Sequence, residues 1–125
     1  MIILLSVTLG ANYASGGAHA LLGWCSGPES PPPYILLQVH GISATALQIL
    51  LGALVVLHIL PAWRARRHLG SGLALVVPLG ALVLSGLGLY YAGDESLRSF
   101  WRWSHIVIGL ALPLPLFLHV IQRRR

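Results

Sequence analysis

Six histidines stand in a chain that otherwise carries few ionisable side chains. His40 and His58 lie eighteen residues apart, and His105 and His119 lie fourteen apart. At ~100° per residue, eighteen positions return to about 0° and fourteen to about 40°, so each pair falls on one face of its helix. At ~1.5 Å per residue the spacings correspond to roughly 27 Å and 21 Å of helix axis. One imidazole of each pair therefore comes near either end of a membrane-crossing segment. The chemistry open to imidazoles so placed is ligation. A zinc-type ion needs its donors within ~2.0–2.3 Å of one point, and residues more than ~20 Å apart on one helix cannot supply that. A b-type haem brings four nitrogens of its own and needs two axial imidazoles, one from each side of the iron. The spacing reads as two such sites, one above the other, between two helices.

The elements that must carry these histidines are apolar. Charged residues make up 9% of the chain, against roughly 25% in an ordinary soluble domain. Hydrophobic residues reach 56% and the mean hydropathy is +0.78. Charge-free stretches cover residues 2–25, 33–62, 71–93 and 103–122, each about the ~20 residues that cross a bilayer core. The expected fold is all-α and integral to the membrane: a single domain, 1–125, forming a four-transmembrane-helix bundle. Its spans are about 2–24, 34–60, 72–92 and 103–122, which leaves no room for a separate soluble domain.

The net charge of +5 comes from eight arginines, clustered at span ends. Arg64, Arg66 and Arg67 follow the second span and Arg123, Arg124 and Arg125 the fourth, whereas the connection 26–33 carries only Glu29. The positive-inside rule then puts residues 63–70 and both termini in the cytoplasm. Arg98 and Arg102 lie outside, offset by Asp94 and Glu95. The basicity is topology rather than a nucleic-acid footprint. A rival reading of the first span is a signal peptide ending at Ala18-His19-Ala20. The start lacks a positive n-region, so a retained helix is expected, with Gly10, Ser15, Gly16 and Gly17 suited to close packing. Cys25 is alone, so no internal disulfide forms, and it reads as a passive interfacial thiol. No Cys-x-x-Cys-His occurs for covalent haem attachment.

Prolines punctuate the pattern. The loop CSGPESPPP breaks the first helix from the second, and Pro61 is expected to stop the second. Asp94 is expected to cap a short interfacial helix, 95–100, followed by Trp101 and Trp103 at the outer interface. Pro113 and Pro115 should kink the final span.

The second and fourth spans run in the same direction, so His40 is expected to meet His105 near the outer face and His58 to meet His119 near the inner. Ala44 and Gly109 each sit one turn inward of an outer histidine and give room for a macrocycle; Leu47, Leu51 and Leu54 fill the layer between. The bland reading is ordinary packing of small residues and unrelated interfacial histidines, which suits His19 and His68 better than the in-phase set. The two pairs differ in axial length by about 6 Å. Either the second helix tilts by ~35–40° relative to the fourth, or His19 replaces His40 as the outer ligand. Arg98 and Arg102 flank the outer pair, and Arg64, Arg66 and Arg67 the inner; guanidinium forks suit haem propionates, and topology or headgroup contact explains them equally well.

The final span, WRWSHIVIGLALPLPLFLHVIQRRR, with His105, Gly109 and His119, resembles that of the four-helix bis-histidine b-type cytochromes of bacterial membranes. Bacterial cytochrome b561 and the cytochrome b subunits of hydrogenases and formate dehydrogenases belong to that group. SGLGLYYAGDESLR and HGISATALQILLGALVVLH look like the same class. The resemblance covers most of the chain after Tyr34. It implies a multi-pass protein of the bacterial cytoplasmic (inner) membrane, holding two b haems. It further implies a role as the membrane subunit of a larger oxidoreductase, exchanging electrons with quinone or a periplasmic redox partner. Membrane lipid and other redox subunits are the partners so implied. Such families often draw a ligand from the first helix, where this chain has His19. Two other readings stay open: a stand-alone haem enzyme oxidising superoxide or quinol, and a haem-free anchor or assembly subunit.

Overall fold

The computed structural model describes residues 2–26, 31–66 and 69–123, and every regular element among them is helical. The helices are α1 (Ile2–Cys25), α2 (Tyr34–Leu54), a π-helical segment (Val55–Ile59), α3 (Leu60–Arg64), α4 (Leu69–Tyr91), α5 (Glu95–Ala111) and α6 (Pro113–Arg123). Three helical runs are long and apolar enough to cross a membrane: Tyr34–Arg64, Leu69–Tyr91 and Glu95–Gln122. α1 has the length, at 24 residues, but Thr8, Asn12, Ser15 and His19 dilute its apolar character, and it falls outside that set. Glu29, Arg67, His68, Arg124 and Arg125 lie outside the described residues.

Burial runs opposite to that of a water-soluble domain. Among the described residues the buried polar side chains are Ser15, Ser43 and Ser85, while Ile3, Ile42 and Ile49 are exposed. Without water to drive apolar side chains together, small residues let helices approach and large apolar ones face lipid. The buried hydroxyls are satisfied locally. Ser15 donates to the Ala11 carbonyl at 2.6 Å and Ser43 to that of Val39 at 2.7 Å.

The chain forms two compact units, residues 1–60 and 61–125. In the first, α1 and α2 make an antiparallel pair, with Gly23 facing Pro32 at one end and Asn12 and Gly16 facing His40 farther along. The second helix does not stop at Pro61, contrary to the sequence expectation, but continues to Arg64. Proline clashes with the carbonyl four residues before it and cannot donate to it. The π segment absorbs this by widening the turn just upstream, with the Leu60 amide reaching the Val55 carbonyl. Arg66, at φ 50°, then ends the run in a left-handed cap position.

In the second unit α4 packs against both α5 and α6. Pro78 lies inside α4 without interrupting it. Asp94 caps as expected, its carboxylate accepting from the Leu97 amide at 3.0 Å and from the Ser96 hydroxyl. Those two bonds, the hydroxyl first, hold its pKa below the usual carboxylate value. The helix it starts is not a short interfacial one, however. α5 runs unbroken from Glu95 to Ala111, because no breaker lies between Asp94 and Pro113. Where the prolines are expected to kink the span, Leu112 separates α5 from α6 with its backbone still helical (φ −56°, ψ −35°), and its amide is shared between the carbonyls of Ile108 (3.0 Å) and Gly109 (3.3 Å). Pro113 has no N–H to serve Gly109, and this bifurcation replaces the missing bond.

Candidate functional site

Each unit holds histidines whose rings are fixed by a neighbouring helix. In the first unit His40 lies directly over Gly16 of α1. A Cβ at position 16 would stand 2.6 Å from His40 Nδ1 and 2.7 Å from its Cε1, so only glycine admits the ring. His40 Nδ1 donates to the Asn12 carbonyl at 3.0 Å. The direction is certain because a carbonyl oxygen only accepts. The Asn12 side chain returns across the same interface, donating to the His40 carbonyl at 3.0 Å and to Ser43 Oγ at 3.3 Å. Asn12 and Gly16 thus clamp His40 from both ends of one helical turn.

His19 is half-buried on α1. Its Nδ1 is shielded from solvent and has no hydrogen-bond partner among the described residues. His40 Nδ1 is thus held by the neighbouring helix, whereas His19 Nδ1 has no such partner among the described residues. His58 is half-buried within the π segment. Each π turn adds about one residue without a matching rise, so the 100° period behind the eighteen-residue spacing does not hold through Val55–Ile59. The axial span is accordingly about 1.5 Å shorter than in an unbroken α-helix. Of the three leucines expected to fill the layer between the histidines, Leu47 is buried and Leu51 and Leu54 are half-buried.

In the second unit both histidines face α4. His105 Nδ1 lies 2.9 Å from Ser85 Oγ, and His119 Nδ1 lies 3.1 Å from Ser71 Oγ. Ser85 Oγ also lies 3.1 Å from the Leu82 carbonyl, so its one hydrogen can go to that carbonyl or to His105 Nδ1. Gly86 adjoins the same ring, 3.7 Å from a Cβ placed there to His105 Cε1. One turn before His105, the half-buried Trp101 lies across Gly88, where a Cβ would overlap the indole. Gly109 packs toward Leu82 at ordinary contact distance. Arg98 donates to the Ala92 carbonyl at 2.9 Å and so closes the end of α4. Arg102, Arg64 and Arg66 are exposed.

Neither protein-family models, curated proteins nor solved structures match this chain. The site must be judged on its own chemistry. Imidazole is the axial donor of b-type haems, and its ligating nitrogen must carry a lone pair. At His40 the bond to a carbonyl oxygen puts the proton on Nδ1, which in the neutral ring leaves the lone pair on Nε2. The donor set fits the group. Among the described residues no cluster of three or more His, Cys, Asp or Glu could hold a bare metal ion.

Sequence reasoning did not single out Asn12, Ser71 and Ser85. One signal was present: Ser71 and Ser85 are fourteen residues apart, the spacing of His105 and His119. In an antiparallel neighbour, equal spacings meet end to end.

Proposed function

We propose that this chain is a di-haem b-type membrane cytochrome, with His40, His58, His105 and His119 as axial ligands of two haems. The observation that carries the reading is the Nδ1–H form of His40, set by the Asn12 carbonyl of the adjacent helix, with the Ser85 hydroxyl placed against the same ring nitrogen of His105. Ionisable groups inside apolar helices are costly and mark function, and second-sphere acceptors on Nδ1 are how proteins orient ligating histidines. Bound haem supplies reversible one-electron exchange. The residues hold the rings, exclude water with Leu47, Leu51 and Leu54, and keep the ligating nitrogen unprotonated. The pairing of His40 with His105 and of His58 with His119 rests on the order and direction of the helices along the sequence.

The proposal includes four membrane spans with both termini cytoplasmic, and electron exchange with quinone or a redox partner as a subunit of a larger oxidoreductase in the bacterial inner membrane. α1 is read as the additional span because three of its polar side chains find partners in helices. Thr8 and Ser15 bond back to their own helix, and Asn12 bonds to α2. Arg102, and Arg98 through its remaining N–H donors, would hold the haem propionates of the outer site. The test is removal of single ligands. His58→Ala and His119→Ala each lose the same b-type absorption band, whereas bands lost independently contradict the pairing.

A further inference from the structure

We propose that Ser85 and Ser71 are positioning residues for His105 and His119, so that α4, which carries no ligand, sets ligand strength at both histidines of the second unit. The proposal rests on the haem reading above and adds two residues to it. The serines are fourteen residues apart, as the histidines are, and α4 runs antiparallel to α5 and α6. Each histidine consequently meets its own serine.

The hydroxyls are not incidental to packing. Alanine would serve a close helix contact as well as serine does, but it would take away the hydroxyl that meets ring Nδ1 at each histidine. Ser85 is 2% exposed and its oxygen lies between the Leu82 carbonyl and His105 Nδ1; with its hydrogen on the carbonyl, it accepts from the ring. An acceptor on Nδ1 pushes electron density toward Nε2, strengthens its donation and favours oxidised iron.

The full-length chain in detergent micelles provides the test, with Ser85→Ala, Ser71→Ala and the hydroxyl-retaining Ser85→Thr. Nitrogen-15 NMR of labelled histidines, on protein free of haem, reads the ring proton directly, with His105→Ala assigning the resonance. Nδ1 protonation at His105 that weakens in Ser85→Ala and returns in Ser85→Thr supports the proposal. Nε2 protonation in the parent chain, or no change on losing the hydroxyl, overturns it. Haemin titration and potentiometry form the second arm. Each alanine variant binds one of its two haems about tenfold or more weakly, with a more positive midpoint potential, Ser85→Ala and Ser71→Ala affecting different haems. Parent protein that binds haemin while both variants keep its affinities and potentials defeats the positioning role and spares the haem reading. Parent protein that binds no haemin defeats the haem reading and with it any role in ligand strength, while the NMR still decides the hydrogen bond.

Discussion

Replacing Gly16 by alanine isolates the clamp on His40. The new Cβ would meet Nδ1 at 2.6 Å, against the 3.4 Å at which ordinary contact begins, so the ring must retreat by about 0.8 Å. Moving away along that line carries the 3.0 Å bond to the Asn12 carbonyl toward about 3.8 Å, beyond hydrogen-bond range. Overpacking costs ~1–3 kcal/mol and the lost bond ~0.5–1.5 kcal/mol. Alanine returns about 1 kcal/mol of helix propensity. The net is a destabilisation of roughly 1–3 kcal/mol. Gly17 is the control, since nothing lies within 4 Å of a Cβ there, and Gly17→Ala should be neutral or stabilising by up to about 1 kcal/mol. Unfolding by SDS titration from mixed micelles, followed by circular dichroism, measures both. Equal stability of the two variants, with the His40 Nδ1–H unmoved by NMR, refutes the clamp.

Three other perturbations have definite outcomes. Gly88→Ala places a methyl group inside the Trp101 ring position and should destabilise the second unit by about 1–3 kcal/mol, with a shifted tryptophan emission. Arg66→Gly relieves the left-handed backbone at φ 50° and should stabilise by about 1 kcal/mol, read in the same SDS titration. Asp94→Asn should remove a pH dependence from the start of α5. The folded carboxyl has a lowered pKa, so its contribution is present above the unfolded value and fades as pH falls through the folded one. The protection of the Leu97 amide, taken relative to its intrinsic exchange rate at each pH, should fall on acidification in the parent chain and stay level in Asp94→Asn.

Much of the local structure was legible because it depends on single residue types. The long apolar runs set three spanning helices, Asp94 announced its cap, and Pro113 marked the break at Leu112. Pro61 misled, since proline's cost can be met upstream, and a π turn at Val55–Ile59 leaves no signature in hydropathy. That turn also undid the even phase between His40 and His58, which was computed for a uniform helix. The support beneath the histidines was harder to read. Gly16 and Asn12 look like any small or polar residue of a membrane helix until His40 is seen to lie on them. Their role is a property of two helices together, and periodicity along one helix does not contain it. Ser71 and Ser85 are the intermediate case, with a readable spacing whose meaning required knowing that α4 is the neighbour.

A pyridine haemochrome assay on the purified chain, normalised to protein by amino-acid analysis, bears most directly on the four-histidine assignment. Two haems b per chain is the predicted result. One per chain contradicts the two paired sites, and no b-type band in the reduced-minus-oxidised spectrum contradicts the cytochrome itself.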